Sequence, residues 1–546
     1  MAQSSKTPVL IVGAGPVGLA LAGDLGWRGI PCVLIERSDG IVDQPKMDMV
    51  GIRTMEFCRR WGITSWVESA GYNRDYPQDC AWVTALHGGY ELGRESFPAP
   101  RDEAAPLQSP QKRERCPQHF FDPVLARFAT QYPHVNIRYR TELKCFEQDV
   151  KGVTATVINA ETGSEETIRS DYLIGCDGGA SGVREALGIS MSGNPALTYT
   201  TNALIRCEGL EKLHGLKPAY RYIFIGPEGT WGTLVAINGR DWWRLSIIGS
   251  DTRRVLSEVE IRQCMARAAG RDFDFEILSI MPWVRRQLVA DSYGKGRTFI
   301  CGDACHLMSP TGGFGMNTGI QDAVDLAWKL EAMIRGWGGP NLLPSYEIER
   351  RPVALRNIAE ATGNLKRMLT PRDLATPKAI FESGAVGDAA RATFGVAYTQ
   401  IMSREWRTNG IHLGYRYEDS PIIVSDGTLE PEDSTSNYVQ TARPGHRAPH
   451  MWVKEGHSTL DYFGKGFVLM RFRPDVATDS IERSARARGV PLTVIDIAQQ
   501  EAQNLYECNL VLVRPDGHVA WRGDEQPADA EHVIATVCGA TINHPV

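Results

Sequence analysis

The sequence predicts an α/β protein: a Rossmann-like dinucleotide-binding domain interrupted by a mostly antiparallel sheet and followed by a separate small α/β domain. Three observations carry this. A strand–helix–strand pattern opens the chain with Gly13-x-Gly15-x-x-Gly18 at its first turn. Short runs rich in Thr, Tyr, Trp and Ile, separated by glycine turns, fill 81–97 and 198–248. Beyond a polar, acidic, proline-containing stretch at 425–436, strand and helix patterns alternate afresh. At 546 residues the chain is too long for one ordinary core, so two or three domains are expected.

Taken in order, residues 8–12 (PVLIV) are a continuous apolar run suited to a buried parallel strand, 17–25 a helix and 31–35 a second buried strand. A helix is expected near 121–132, strands between 136 and 168, and a further apolar strand at 172–176. The α/β pattern resumes at 297–301 (RTFIC), followed by helices at 319–335 and 344–369; Ile320, Val324, Ala327, Leu330 and Ile334 keep helical spacing. In the last domain the pattern gives strands at 467–472 and 492–497, a helix at 479–488, a hairpin at 510–522 turning at Pro515-Asp516-Gly517, and a helix at 528–537.

Composition narrows the function. With 42% apolar and 23% charged residues the chain is an ordinary globular protein. A net charge of -6 argues against nucleic acid, whose phosphates call for a basic face. The apolar stretch 8–25 is not read as a signal peptide or membrane span, because Asp24 and several glycines interrupt it. Twelve scattered cysteines without a CxxC pair fit reduced thiols in the cytoplasm and offer no metal-site spacing. A small-molecule substrate is therefore expected, with no nucleic acid and no membrane.

The motifs specify the chemistry. In Gly13-Ala14-Gly15-Pro16-Val17-Gly18 the glycines allow a tight turn and close approach of a pyrophosphate to a helix N-terminus, and Glu36, ending the second strand, suits ribose hydroxyls. This holds a dinucleotide without separating FAD from NAD. Two later motifs do: Asp177-Gly178-Gly179-Ala180-Ser181-Gly182-Val183-Arg184, and Gly302-Asp303-Ala304-Cys305-His306, which leads to the glycine-rich stretch ending Gly315-Met316-Asn317. An acidic residue after a buried strand, followed by a glycine-rich helix start, can meet a ribityl chain and a flavin edge. Either Asp alone reads as a turn or cap residue; their order after the first motif is what makes them specific.

With these motifs the sequence resembles the single-component (class A) FAD-dependent aromatic hydroxylases, in the phenol hydroxylase-like branch that carries a C-terminal thioredoxin-like domain. The resemblance implies a discontinuous FAD-binding domain over 1–75, 111–190 and 285–370. A substrate-binding sheet follows from 76–110 and 191–284, a connecting helical region from 371–435, and a thioredoxin-like domain from 436–546. It implies FAD contacts at Gly13, Gly15, Pro16, Gly18, Glu36, Arg37, Lys46, Gln118, Asp303, Pro310, Gly313, Gly315, Met316 and Asn317, with Asp177, Gly178 and Arg184 in a shared FAD and NAD(P)H fingerprint. NADPH or NADH and O2 are then co-substrates, oxygen passing to the ring through a flavin C4a-hydroperoxide; a small aromatic substrate and a homodimer complete the expected partners.

In Asp48-Met49-Val50-Gly51-Ile52-Arg53-Thr54-Met55-Glu56, Asp48 resembles the family residue that faces the substrate hydroxyl, and Lys46 stands where many relatives carry Arg. Asp48 is the expected catalytic group: by taking or polarising the proton of a phenol, whose pKa is near about 10, it would enrich the ring in electron density. Tyr222, in the inserted sheet, is the second candidate at the substrate, beside Tyr220, Trp242 and Trp243. His306 is expected to hydrogen-bond backbone rather than act as a base. Without CxxC the last domain cannot exchange disulfides and is expected to be structural or at a subunit interface. The reaction expected is hydroxylation of a substituted phenol or catechol. Removal of a ring substituent such as nitro, oxidation of a polyketide or other non-phenolic ring, and a flavoprotein that is not an oxygenase are the alternatives.

Overall fold

The computed structural model describes residues 4–250, 252–373 and 376–541. Its first sheet has eight strands; the path runs Gly294–Lys295, Thr298–Ile300, Glu165–Gly175, Ser4–Val12, Cys32–Ile35 and Val135–Arg138. The four central pairings are parallel. Continuous apolar runs such as Cys32–Ile35, buried throughout, are what a sheet covered on both faces requires. The strand-like stretch expected over 136–168 includes a hairpin, Thr141–Asp149 with Gly152–Asn159, that joins this sheet through Glu165–Gly175.

The helix Pro16–Trp27 begins with Pro in its first turn, where the missing N–H costs nothing. It packs against helices Gln118–Thr130 and Gly315–Arg335. The last of these starts at Gly315, four residues before the periodicity signals it, because glycines carry no hydropathy pattern.

The second sheet also has eight strands, antiparallel except where Arg221–Gly226 meets Cys80–Val83. Its long pair, Met191–Arg206 with Glu276–Ala290, runs past the 284/285 boundary expected from sequence. Pairing assigns the faces. Trp243, Leu245, Leu234, Tyr222 and Ala203 share the face that forms a core with Ile261, Met265 and Ala268 of helix Glu258–Ala269. Arg244, Ser246, Asn202, Thr200 and Arg285 share the other, and Arg244 donates to the Pro45 carbonyl at 3.1 Å, turning this face toward the nucleotide-binding domain.

Residues 371–435 are more than a connection. Helix Ala385–Met402 lies on strand Glu91–Glu95, and its Tyr398 and Met402 complete the sheet's core. The C-terminal domain has a four-stranded sheet in the order Leu492–Asp496, Phe467–Arg471, Leu510–Val513, Val519–Gly523, the first pair parallel. Its Phe467, Leu510 and Ile534 join Trp328, Ala332 and Trp337 in one core shared with helix Gly315–Arg335. The hairpin turns at Pro515-Asp516-Gly517 as expected, and the turn is inserted against helices Gly315–Arg335 and Pro344–Asp373: Arg514 and Asp516 are buried, and Arg514 pairs with Asp325 and Glu349.

Candidate active site

The register of the parallel strands brings the three motifs together. Val12 pairs with both Ile35 and Gly175, and Gly175 pairs with Ile300. Gly13, Glu36, Cys176-Asp177 and Cys301-Gly302 therefore leave one edge of the sheet side by side, at the carboxyl ends where such folds bind ligands. Gly13 has φ +105, and a Cβ there would lie 2.5 Å from the Cys176 carbonyl. Gly15 differs: it N-caps helix Pro16–Trp27 without a side-chain bond, and a Cβ would meet nothing within 4 Å. That open approach to unpaired helix-start amides is a pyrophosphate cradle.

Glu36 accepts from the Ala14 amide at 2.9 Å and from the Ser38 amide and hydroxyl, so its carboxylate is fixed beside the turn. Arg37 is exposed next to it. Asp177 accepts from the Ser181 hydroxyl at 2.5 Å and the Val183 amide at 3.0 Å, so it organises the start of helix Gly182–Ala186. Gly178, at φ +81, has open space where a side chain would be. Arg184 donates to the carbonyls of Gly179 and Ala304, both at 3.1 Å, and joins the second motif to the third. Asp303 receives no hydrogen bond from the described residues; desolvation raises its pKa, against the attraction of His306 and Lys46.

Around the start of helix Gly315–Arg335, the amides of Gly315, Met316 and Asn317 precede its first bond, Thr318 N–H to the Phe314 carbonyl at 2.8 Å. Gly313 and Pro310 lie in the loop leading to it. The Asn317 side chain is fully occupied: it accepts from the Gly51 amide and the Thr54 hydroxyl, each at 2.7 Å, and donates to the carbonyls of Met49 and Gly313. What remains for a ligand there is backbone. The Lys46 amide donates to the Gln118 side chain at 3.1 Å, linking these two predicted contacts.

A two-stranded ladder, Met49–Val50 with Glu114–Arg115, sets Asp48 against Arg115 across a gap of 67 residues. The Asp48 carboxylate accepts from Arg115 at 3.2 Å and from the Tyr220 hydroxyl at 2.5 Å, and lies 3.6 Å from Arg244. Arg115 also sits 3.7 Å over the Tyr220 ring and donates to Gln78. Burial pushes the Asp48 pKa up, but the two guanidiniums and the Tyr220 hydroxyl outweigh it, and the carboxyl titrates below its ordinary value. Burial also holds the Tyr220 phenol well above its usual range.

Tyr222 is not at this cluster. Its hydroxyl accepts from the Ala219 amide at 3.0 Å and lies 3.4 Å from His214, on the sheet's core-facing side. Strand alternation decides this: Arg221 pairs with Val235, which pairs with Arg244, whereas Tyr222 follows Leu234 and Leu245 into the core. His306 also departs from expectation. It is fully buried, with Nε2 2.7 Å from the Asp322 carboxylate, which Arg350 pairs at 2.7 Å; its partner is a side chain, not backbone. Sequence reasoning missed Arg115, Arg221, Arg244 and Arg285; the Trp242-Trp243-Arg244 run was the available signal for one of them.

Fold and strand-end motifs define a dinucleotide-binding class of protein whose second sheet packs against the nucleotide-binding domain. Comparison with known proteins agrees. Residues 6–361 match the family described as FAD binding domain, and 441–541 that described as aromatic-ring hydroxylase, C-terminal. A putative polyketide hydroxylase of Streptomyces halstedii is 34% identical over 97% of this chain and 97% of its own. A phenol 2-monooxygenase of Pseudomonas sp. (strain EST1001) is 31% identical over 97% and 92%. The structure of RebC with bound 7-carboxy-K252c matches with a TM-score of 0.92 and 39% identity, covering 98% of this chain and 100% of RebC. The chain belongs to the single-component FAD-dependent aromatic hydroxylases: it is an aromatic monooxygenase using FAD and NAD(P)H. The residues fit the cofactor, with a Gly15 cradle, a fixed Glu36, an unpaired Asp303 and free amides at Gly315–Asn317. No described helix is long and apolar enough to cross a membrane.

Proposed function

We propose that this enzyme hydroxylates a substituted phenol or catechol, consuming one NAD(P)H, one proton and one O2 and releasing the ring-hydroxylated product, NAD(P)+ and water. The Asp48–Tyr220 pair carries the reading. Bound FAD, reduced by NAD(P)H, supplies the activated oxygen; the protein must make the ring nucleophilic and keep water away. Tyr220 commits its proton to Asp48, which leaves its oxygen free to accept from a substrate phenol. Asp48, its carboxylate form favoured by the two arginines, thus draws the phenolic proton toward Tyr220 without taking it, and electron density rises at the ortho and para carbons. Of the two roles expected of Asp48, taking or polarising the proton, its lowered pKa supports the second, because such a carboxyl is a poor base.

The FAD contacts at Gly13, Gly15, Pro16, Gly18, Glu36, Arg37, Lys46, Gln118, Asp303, Pro310, Gly313, Gly315, Met316 and Asn317, and a nucleotide role for Asp177, Gly178 and Arg184, belong to the same reading. So do a cytoplasmic setting, in which the twelve free cysteines stay reduced, and a homodimer. A larger polyketide-derived phenol is the second reading, favoured by the resemblance to a polyketide hydroxylase along nearly the whole chain.

The test is phenol-dependent NAD(P)H oxidation with product identification, repeated with Asp48→Ala. That variant is expected to keep FAD and oxidise NAD(P)H while releasing hydrogen peroxide in place of hydroxylated product. Wild-type coupling in Asp48→Ala would remove Asp48 from the mechanism.

A further inference from the structure

Arg285 is 6% exposed and, among the described residues, has no carboxylate within ion-pair distance. Its Nε donates to the Thr200 hydroxyl at 3.2 Å and one terminal nitrogen to the Ser309 hydroxyl at 3.3 Å, both long bonds to neutral groups; the other terminal nitrogen donates to no described residue. A buried guanidinium normally has a counter-charge, since desolvating an unpaired ion is costly. Here the cations acting on it outweigh the one carboxylate that does: Arg221 and Arg244 oppose its charge, and Glu405, which favours it, is already paired with Arg221 at 2.9 Å, while Arg244 shares Asp48 with Arg115.

Burial and these neighbouring cations push the Arg285 guanidinium down to about 9, so it stays protonated at neutral pH. Arg221, Arg244 and Arg285 thus share one face of the sheet, Arg115 reaches Asp48 beside it from strand Glu114–Arg115, and among the described residues Asp48 and Glu405 are the carboxylates that pair with this group. Arg285 also donates to Ser309, in the loop leading to Gly315, so its guanidinium lies where the sheet meets that loop.

We propose that Arg285 binds an anionic substituent, a carboxylate, on the aromatic substrate, and thereby selects hydroxyaryl acids over their neutral counterparts. This rests on the hydroxylase reading above and names the substrate class for it. The phenolic end is set by Asp48 and Tyr220 near Arg244, whose strand position pairs with Leu204; Arg285 reaches the position of Thr200. Four residues along a strand separate those positions by about 13 Å at about 3.3 Å each. A molecule touching both ends needs more than one ring.

The test titrates hydroxynaphthoates and hydroxybiphenyl carboxylates, each beside its carboxamide, into the FAD-loaded enzyme, following perturbation of the flavin spectrum, a binding readout that needs no turnover. The wild type is expected to bind at least one acid about tenfold or more tightly than its amide, a difference of about 1.4 kcal/mol. Arg285→Gln is expected to erase that preference by weakening the acid alone, Arg285→Lys to keep part of it, and both to retain FAD and an unchanged KM for NAD(P)H. Absence of an acid preference in the wild type overturns the assignment. So does an equal loss for acid and amide in Arg285→Gln, or an effect confined to FAD or NAD(P)H. Acids that bind with the stated preference but are never hydroxylated would leave the anion site standing and remove the hydroxylase reading.

Discussion

At the scale of single residues, Asp48 is defined by what surrounds it. Two arginines and a tyrosine hydroxyl hold its carboxyl below the ordinary range, so its folded-state pKa is lower than its unfolded one. Its ion pairs then contribute above the unfolded value of about 3.9 and are lost only as pH falls through the folded value. Coupling of NAD(P)H oxidation to product is therefore expected to show no Asp48 titration between about pH 5 and 8. A limb near neutral pH in the coupling ratio that vanishes in Asp48→Asn would contradict this. Tyr220 supplies the second test. Tyr220→Phe removes the oxygen proposed to face the phenol but keeps the ring under Arg115, so product formation should fall about 10²-fold with FAD retained. The comparison is the product-to-NAD(P)H ratio in variant and parent.

At the scale of elements, the turn from strand Ser4–Val12 into helix Pro16–Trp27 shows that its glycines differ in purpose. Gly15 has φ -73, accessible to any residue, and faces open space. Gly15→Val should therefore fold with the melting temperature of the FAD-free parent yet purify colourless, its side chain occupying the pyrophosphate approach; a yellow, stoichiometrically loaded variant would overturn that placement. Gly13→Ala meets backbone at 2.5 Å in a left-handed conformation and should cost about 1–3 kcal/mol whether or not FAD is added. Calorimetry of the two variants beside their visible spectra separates a structural glycine from a ligand-facing one.

For the whole molecule, the decisive contact is the insertion of the C-terminal hairpin. Arg514 pairs with Glu349 at 2.5 Å, Asp516 at 2.6 Å and Asp325 at 3.2 Å, and Lys329 bridges Asp325 and Glu349, all fully or almost fully buried. Nearby, Glu56 is held between Arg53 and Arg447, which ties helix Ile52–Arg60, just after Asp48, to the same domain. Burial opposes ionisation of Glu56, yet Arg447 and Arg53 bring it down to about 2. Removing one member of such a cluster leaves uncompensated buried charge. Arg514→Ala should therefore destabilise the protein by about 3–5 kcal/mol, read as a shift in the urea midpoint, while the FAD contacts are untouched. A change below about 1 kcal/mol would show that the domain docks through Trp328, Trp337 and Phe467 alone.

The sequence by itself determined the fold class, the strand-end motifs and the cofactor, because these depend on local rules. Apolar runs of strand length, glycines at a strand–helix turn and an acidic residue after a buried strand act over a few residues each, and the domain order follows from where those patterns change. Asp48 was singled out by the resemblance of the stretch ending Arg53-Thr54-Met55-Glu56, and its role remains a proposal. The tertiary structure alone decided which groups face Asp48. The pairing of Met49 with Arg115 and the parity of the strand at Arg221–Gly226 put Arg115 and Arg244 beside it and turned Tyr222 away. A shift of one residue in register would reverse those faces, and register is set by contacts far apart in sequence. The same holds for Arg285, which has no carboxylate within ion-pair distance among the described residues, and for the Pro515-Asp516-Gly517 turn, whose neighbours Glu349 and Asp325 lie far from Arg514 in sequence.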